Sequence, residues 1–562
     1  MTDSWQKSPL GDVVKHGSIG PIWSVGREIL RRIFVTVRDK RWQEIGPQSW
    51  LAEFQAASNM MSFSARHTSD DVAFEWQGTL QVSNGGRHLT FGFTGRSLKD
   101  MEVCRLGLVI LHPVEWMVGA EVTAEDGDLK QRFSLSKSIA PQPIVEGIPR
   151  AISQPFSSLR IRQPGLGTLE LQFEGELFEL EDQRNWGDSS FKTYCTPLSL
   201  GFPRSVKAGT IIEHRLHLRF DPSTESTSAV ATRPRTQARP IRMTFPKVGR
   251  DWPSVSYIAR LGDREPPWRH FQFHPENGDD NSRELLSLLE GPSSSQVEIR
   301  IESQDDFTNL RGALSLLASH HRRVARMLVY GYGTSVPLLA DLERLRAILK
   351  PCPALVDVPV LAATRGYFVE FNRDSPMNAP FAGIAFPLTA TVHSDDADTI
   401  TGNAATILDI ADTAGELLQL QELAVAPLAF YYPHGNPPRE FPANLSRPWL
   451  VASLVEAAFA GVTSITLSDD VIMGVGKLAI SQSEPSLSAL VECSGVTLTP
   501  VDAEPSLGVH AAILQSTEGA PARLLAANLN ARSELLRFSG VKIEIPAFGT
   551  RLIEMGDIGR TT

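Results

Sequence analysis

The sequence predicts a multidomain chain made of an N-terminal antiparallel β-sandwich, a central (β/α)8 TIM-like barrel and a small C-terminal β domain. Three observations support this fold class. Short strand-like runs dominate residues 28–220, apolar runs then alternate with helical windows, and residues 476–562 return to a strand-like pattern. The chain has 562 residues, and since a domain typically takes about 100–200 residues, two to four domains are expected.

The N-terminal domain is predicted at residues 1–225. Two alternating runs, "VAFEWQGTLQV" and "RHLTFGFTGR", flank Asn84-Gly85-Gly86, a sequence typical of a hairpin turn. Many such strands with few helical windows favour an antiparallel sandwich. A polar stretch rich in Ser, Thr and Pro follows, and we interpret residues 226–242 as a linker.

The barrel is predicted at residues 243–475, because strands and helices alternate there as they do in βα units. Eight strands favour a barrel over a Rossmann sheet, and no G-x-G-x-x-G motif follows a strand. The predicted strands are 255–261, 269–275, 296–303, 325–333, 365–373, 381–393, 423–432 and 462–470. The remaining residues, 476–562, form the predicted C-terminal β domain.

Composition argues against several classes of partner. The net charge of −10 disfavours nucleic-acid binding. No apolar run reaches the ~18–20 residues of a membrane span, and the first residues lack the apolar core of a secretory signal. The four cysteines are widely spaced, which predicts reduced thiols in a cytoplasmic protein. We expect neither a metal nor an organic cofactor, since no ligand motif occurs; the oligomeric state is left open.

Candidate catalytic residues follow from the rule that a barrel carries its reactive groups at the C-terminal ends of its strands. Glu370, His393, Asp395 and Asp469 occupy such positions. A histidine there suits general acid–base chemistry near neutral pH. Each carboxylate also has a structural interpretation: Glu370 can pair with Arg373, and the aspartates can cap the helices that follow.

Candidate substrate-binding residues lie at the same strand ends and in one dense polar stretch. Asn372, Arg373 and Tyr432 belong to the barrel set. The stretch at 178–203 contains Asp182, Arg184, Asn185 and Lys192 within a few positions. Loops on rigid scaffolds often carry function. The structural alternative is a buried arginine stacked on an aromatic ring to hold a long loop.

This stretch, "ELEDQRNWGDSSFKTYCTPL" at 179–198, closely resembles the signature of the D-apionate lactonase family. Weaker similarities follow along the chain, in "REILRRIFVTVRDKRWQEI" (27–45), "LVILHPVEWMVGAEV" (108–122), "YFVEFNRDSP" (367–376) and "PLTATVHSDDADTI" (387–400). The resemblance implies the same three-domain layout and a cytoplasmic enzyme of apiose catabolism. It also implies a hydrolase of the carboxylic ester class that opens D-apionolactone, or a related aldonolactone, to the acid.

The implied reaction needs a base that activates water, donors for the oxyanion and an acid for the leaving ring oxygen. Glu370 and His393 are the alternative bases, and Arg184, Asn185 and Lys192 are candidate donors. The small-molecule partner is therefore a sugar lactone or another carbohydrate.

Two strands depart from the family pattern. The eighth reads "SITLSDDVIMG", with Asp469 near the place of a glutamate, and the second reads "HFQFHPEN" without the expected Arg and Asp. Both changes fall where substrate contacts are expected, so a divergent substrate is one interpretation. Two alternatives stay open: a glycoside hydrolase, whose two carboxylates would lie about 5–5.5 or 6.5–9.5 Å apart, and a non-catalytic sugar-binding protein.

Overall fold

A computed structural model of the chain divides into two compact units. Unit 1 comprises Met1–Gln183 and Ser190–Gln237, and unit 2 comprises Arg184–Ser189 and Ala238–Thr562. The structure describes residues 14–15, 17–24, 27–55, 60–83, 87–223, 241–242, 250–251, 253–258, 270–273, 279–290, 296–303, 307–374, 380–394, 396–418, 422–431, 441–476, 490, 496–500, 508–516, 521–538 and 541–554. Among these residues, no helix is long and apolar enough to cross a membrane.

The described residues of unit 1 are built almost entirely of strands, with one short α-helix, α1 (Val114–Met117). Its strands are β1 (Val14–Lys15), β2 (Ser18–Ile19), β3 (Ile22–Ser24), β4 (Arg27–Leu30), β5 (Arg32–Asp39), β6 (Pro47–Gln55), β7 (Met60–Thr68), β8 (Ala73–Ser83), β9 (His88–Ser97), β10 (Met101–Pro113), β11 (Glu121–Asp126), β12 (Leu129–Ser134), β13 (Ile144–Val145), β14 (Ile148–Pro149), β15 (Ser158–Gln163), β16 (Gly167–Glu174), β17 (Glu179–Asp182), β18 (Ser190–Tyr194), β19 (Arg204–Val206) and β20 (Ile211–Pro222).

Two sheets make up most of unit 1. One has the order β12-β11-β15-β16-β20-β9-β8-β7-β6, and the other β1-β2-β5-β10-β18-β17, with β19 also paired to β10. One hydrophobic core contains Trp76 and Phe91 from the first sheet and Ile33 and Leu108 from the second. Burial of alternate residues along the strands is what places these side chains together.

The predicted hairpin is confirmed by its flanking strands. Strands β8 and β9 pair antiparallel as far as Ser83 and His88. The turn residues Asn84, Gly85 and Gly86 themselves lie outside the described residues.

Among the described residues of unit 1, three histidines, His67, His112 and His214, are buried, and burial lowers the pKa of each. The Nε2 atom of His112 lies 2.8 Å from the Thr193 hydroxyl, and burial lowers the pKa of His112 to about 3. Burial likewise lowers the pKa of His214 to about 4, although the charge of Glu176 acts in the opposite direction. Both imidazoles are therefore neutral in the folded protein at any pH above their lowered pKa values.

We expect acid to destabilise the protein through His112 and His214. Their folded pKa lies below the ordinary value of 6.5, so the unfolded chain takes up protons first as the pH falls through that value. The stability they contribute is complete above pH 6.5 and is progressively lost toward the folded pKa. Each histidine should lower the free energy of unfolding by about 2 kcal/mol at pH 5.

Denaturant titrations followed by tryptophan fluorescence at several pH values measure this loss. A His112→Leu/His214→Leu variant should show a shallower decline between pH 7 and pH 5. His88→Leu, at an exposed strand position, is the control and should leave the decline unchanged. An unchanged decline in the double variant would contradict the assignment.

Unit 2 contains alternating strands and helices followed by further strands. Its strands are β21 (Ile241–Arg242), β22 (Arg250–Asp251), β23 (Ser254–Ile258), β24 (His270–Phe273), β25 (Gln296–Glu302), β26 (Val324–Tyr330), β27 (Val360–Ala363), β28 (Gly383–Thr389), β29 (Glu422–Ala429), β30 (Ser464–Leu467), β31 (Val496–Pro500), β32 (Val509–Ser516), β33 (Arg523–Asn528), β34 (Glu534–Phe538), β35 (Val541–Ile545) and β36 (Gly549–Glu554). Its helices are α2 (Asp279–Glu290), α3 (Thr308–Ser319), α4 (Leu339–Leu349), α5 (Pro353–Val356), α6 (Val369–Arg373), α7 (Ala397–Asn403), α8 (Thr406–Leu417), α9 (Ala443–Phe459) and α10 (Asp469–Gly476).

Strands β23 to β30 form a closed barrel of parallel strands. The prediction of an eight-stranded barrel is confirmed, but its fifth strand is wrong. Residues 365–373 are not a strand: β27 ends at Ala363, and Val369–Arg373 forms helix α6. The apolar residues Phe368 and Phe371 are buried at helical spacing, which suits one helical turn better than a strand.

The strands after the barrel form two smaller sheets. Strands β22-β31-β32-β33-β36 make a five-stranded sheet, and β21-β34-β35 make a three-stranded one. Both belong to the same compact unit as the barrel. Of the predicted linker, residues 226–242, only Ile241 and Arg242 are described, and they form β21; residues 226–240 lie outside the described residues.

Candidate active site

The segment Arg184–Ser189 carries the most distinctive part of the sequence and belongs to unit 2. A 3₁₀ helix, Gln183–Trp186, turns the chain, and the Gly187 N–H donates to the Arg184 carbonyl over 3.0 Å. Gly187 has a φ of 86°, and a Cβ atom there would lie 2.7 Å from Cδ1 of Leu388 in β28. Glycine therefore supplies both the left-handed turn and the close approach to the strand.

Two polar contacts hold the first half of this segment. Arg184 is fully buried and pairs with Asp409 of α8, with Nη1 and Oδ2 3.3 Å apart. Asn372 of α6 donates from Nδ2 to Oδ1 of Asn185 over 2.9 Å. A buried guanidinium needs such a carboxylate, because an uncompensated buried charge is costly. Arg184 thus braces the loop through an ion pair with Asp409, where the structural alternative expected stacking on an aromatic ring.

A third contact holds the end of the segment beside β28. The Ser189 N–H donates to Oδ1 of Asn403 over 3.0 Å. Asn403 also donates from Nδ2 to the carbonyl of Ala390, just beyond β28, over 3.0 Å. One asparagine side chain therefore links the loop to the C-terminal end of the sixth barrel strand.

His393 follows β28 and pairs with Asp188 of this segment. Its Nδ1 atom lies 3.1 Å from Oδ2 of Asp188; the exposed fractions are 17% for the histidine side chain and 2% for the aspartate. The Trp186 ring stands edge-on to the imidazole, with centroids 5.7 Å apart. A carboxylate accepting from Nδ1 selects the tautomer in which Nε2 is the basic nitrogen. An imidazole held in this way has the orientation that general base chemistry needs.

Helix α6 carries three of the predicted site residues. Glu370 and Arg373 pair across one turn, with Oε1 and Nη1 3.4 Å apart. Asn372 is buried and contacts Asn185 as described above. The structure therefore supports the pairing of Glu370 with Arg373 that was one of its two interpretations, and it places all three residues on a helix rather than at a strand end.

The eighth strand is followed directly by α10, whose first turn contains Asp469. The adjacent Asp470 accepts the backbone N–H groups of Phe430 and Tyr431, each over 3.0 Å, and also the Ser468 hydroxyl. Asp470 therefore anchors the end of the seventh strand. The predicted site residues Asp395 and Tyr432 lie outside the described residues.

Two predicted binding residues, Asp182 and Lys192, belong to unit 1. Nζ of Lys192 lies 2.9 Å from Oε2 of Glu181 and donates a hydrogen bond to Oε1 of Gln183 over 3.1 Å. Burial lowers the pKa of Lys192 to about 8, against the raising effect of Glu181. Asp182 accepts the Ala140 N–H over 3.1 Å. Both residues thus have structural partners within their own unit.

A second polar group at the barrel ends was absent from the candidate residues. Arg365 forms an ion pair with Glu302 and lies over the Tyr330 ring, 4.8 Å from its centroid. Arg300 donates from Nε to the Tyr330 hydroxyl over 2.7 Å. The signal for this group is the run "QVEIRIE", in which a charged residue at every second position of a barrel strand predicts an inward-facing set.

In the part of the chain that the structure describes, no three His, Cys, Asp or Glu side chains gather as a metal site would require.

Comparisons with known proteins agree on one family. Residues 2–223 match the model for the D-apionate lactonase N-terminal domain, and residues 270–448 match the model for the D-apionate lactonase TIM barrel domain. A D-apionate lactonase from Brucella anthropi is 30% identical over 311 residues, which cover 51% of this chain and 48% of the relative. The aligned part thus spans about half the length of that relative.

Similarity to solved structures is low. A glucosidase from Croceicoccus marinus is 11% identical with a TM-score of 0.35, covering 56% of this chain and 85% of its own. The α-galactosidase AgaA from Geobacillus stearothermophilus is 8% identical with a TM-score of 0.25, covering 93% and 88% of the two chains. Such scores carry no conclusion about function, whereas the two matched domain models together span most of the sequence. The chain belongs to the D-apionate lactonase family.

Proposed function

We propose that the protein is a sugar lactonase that hydrolyses a five-membered aldonolactone, D-apionolactone or a close relative, to the open-chain acid. The observation that carries the proposal is the His393–Asp188 pair beside the sixth barrel strand, within the segment that bears the family signature. An oriented imidazole can activate water for attack on an ester carbonyl near neutral pH.

In the proposed mechanism, Nε2 of His393 accepts a proton from water as the water oxygen attacks the lactone carbonyl carbon. Asp188 stabilises the imidazolium that forms. The tetrahedral intermediate carries its negative charge on the former carbonyl oxygen, which needs positioned donors. When the intermediate collapses, the bond to the ring oxygen breaks and the imidazolium returns its proton to that oxygen. The product is a hydroxy acid, which ionises and releases one proton.

The other predicted site residues take different roles in this proposal. Asn372 and Arg373 are proposed as substrate contacts on α6, and Glu370 as the alternative base. Arg184 supports the loop from its buried pair with Asp409. The assignments of Asn185, Lys192, Asp182, Asp395, Asp469 and Tyr432 to substrate binding or catalysis remain predictions.

The finer architecture is proposed in the same way. We propose that the two sheets of unit 1 form a β-sandwich domain within residues 1–225, that the barrel domain spans 243–475, and that residues 476–562 form a separate β domain. A cytoplasmic location and a role in apiose catabolism are also proposed, on the basis of the family.

Proton release on mixing with D-apionolactone, followed with a pH indicator, tests the function. We expect hydrolysis well above the spontaneous rate for this lactone or for another member of a panel of five-membered aldonolactones. Aryl glycosides, tested in parallel, should not be cleaved, because the described carboxylate Glu370 is paired with Arg373. Spontaneous rates across the whole panel would refute the proposal, and glycoside cleavage would favour the glycosidase alternative.

A further inference from the structure

The inside of the barrel is charged on the side formed by its third and fourth strands. Along β25, the apolar residues pack in the cluster shared with the surrounding helices, and these are Val297, Ile299 and Ile301. Because successive side chains of a strand point to opposite faces, the alternate residues Glu298, Arg300 and Glu302 face the barrel interior.

The lower part of this interior, near the N-terminal ends of the strands, contains an ionic group. Nε of Arg326 lies 3.2 Å from Oε1 of Glu298, and Nη1 of Arg326 lies 2.6 Å from Oε2 of Glu422. Glu298 also accepts hydrogen bonds from the hydroxyls of Ser464, over 2.8 Å, and Thr466, over 3.2 Å. One guanidinium thus faces two carboxylates here, and the group carries a net negative charge.

The upper part of the interior, near the C-terminal ends of the strands, has more guanidinium groups than carboxylates. We call Arg300, Glu302, Tyr330 and Arg365 the upper cluster. Arg300 donates to the Tyr330 hydroxyl, and its guanidinium carbon lies 4.7 Å from the centroid of the Tyr330 ring. The guanidinium carbon of Arg365 lies 4.8 Å from the same centroid, and Arg365 is paired with Glu302. Among the described residues, this group has two guanidinium groups and one carboxylate.

Apolar residues pack together in the barrel interior around Tyr330 of the upper cluster. Tyr330 belongs to an interior group that includes Ala363 of β27, Ala385 of β28, and Ala424 and Ala426 of β29. Barrel interiors are normally filled by bulky branched side chains at such positions. The group here combines these four alanines with Leu328 and Leu361, all of them buried.

We propose that the upper cluster is the binding subsite for the carboxylate end of a sugar acid, the product of the reaction proposed above. The inference rests on that proposed function for the identity of the ligand. A carboxylate is planar and takes two parallel hydrogen bonds from a guanidinium, which makes arginine the residue best matched to it. The second arginine provides further donors, and the carboxylate of the ligand competes with Glu302 for Arg365.

Calorimetric binding of an aldonate tests the proposal, with sodium D-ribonate as the probe and ribitol, which lacks the carboxylate, as its neutral counterpart. Arg365→Gln should weaken ribonate binding about 10- to 100-fold, the range of one charge-assisted hydrogen bond or pair, and should leave ribitol binding unchanged. Arg365 is suited to this test because its side chain is partly exposed, so the variant is expected to fold.

Glu302→Gln is the matched control, since it breaks the same ion pair but removes negative charge. It should bind ribonate as tightly as the parent protein or more tightly. Equal weakening by both variants, or no weakening by Arg365→Gln, would overturn the proposal. Arg300→Gln should weaken ribonate binding by a similar factor. The thermal unfolding of this variant is measured as well, to show that it is folded.

The two proposals fail in distinguishable ways. Lactone turnover with ribonate inhibition that Arg365→Gln leaves unchanged would remove this subsite and keep the lactonase. Charge-dependent ribonate binding in a protein that opens no lactone would keep the subsite and remove the lactonase.

Discussion

Replacing His393 with alanine is expected to lower kcat for lactone hydrolysis about 10³-fold, because a positioned general base contributes on the order of 10²–10⁴ to the rate. The Michaelis constant should change little, since the imidazole is proposed to act on water rather than to bind the sugar. Steady-state proton-release kinetics on the responsive lactone measure both constants. Imidazole added to a His393→Gly variant should restore part of the rate, which a purely structural histidine would not show.

Asp188→Asn tests the partner of that base. The amide keeps the size of the side chain but removes the charge that orients and stabilises the imidazolium, so kcat should fall while the Michaelis constant stays near that of the parent. His321→Ala, a partly exposed histidine elsewhere in unit 2, is the control and should retain full activity. If Glu370→Gln abolished turnover and His393→Ala did not, Glu370 would be the base instead.

The largest effect on stability is expected from replacing Arg326, which lies in the barrel interior near the N-terminal ends of the strands. Arg326→Met removes the guanidinium between Glu298 and Glu422, and the exposed fraction of the Glu298 side chain is only 1%. Removing one partner of a buried ion pair leaves an uncompensated charge, which costs about 3–5 kcal/mol. The variant should unfold at a markedly lower denaturant concentration, or be recovered only in small amounts.

Arg219→Met is the matched control for this substitution. Arg219 also lies between two carboxylates, Glu170 and Asp221, but all three side chains are substantially exposed to solvent. Water solvates the acids left behind, so we expect a much smaller loss than for Arg326→Met. Adding Glu298→Gln to Arg326→Met should recover part of the lost stability, and comparable losses in the two single variants would contradict the expected role of Arg326.

Much of the barrel was predictable because its signals are local. Apolar runs with short turns placed seven of the eight strands close to their positions in the structure, and His393 was expected near the end of the sixth. The fifth strand failed because "RGYFVEFNR" alternates like a strand, whereas Phe368 and Phe371 are buried on one helical turn. A pattern of a few residues cannot decide between these periods without the neighbours that bury them.

The partner of His393 was not predictable, since Asp188 lies 205 positions earlier in the chain. The same holds for Asn372 with Asn185, which are 187 positions apart, and for the upper cluster, whose residues come from three separate strand ends. The alternation of strands and helices, the candidate histidine and the family signature can be read from the chain alone, because they depend on local periodicity and on residue order. Which charges meet follows from the fold, because a buried guanidinium or imidazole is paired by whichever carboxylate the fold brings within reach.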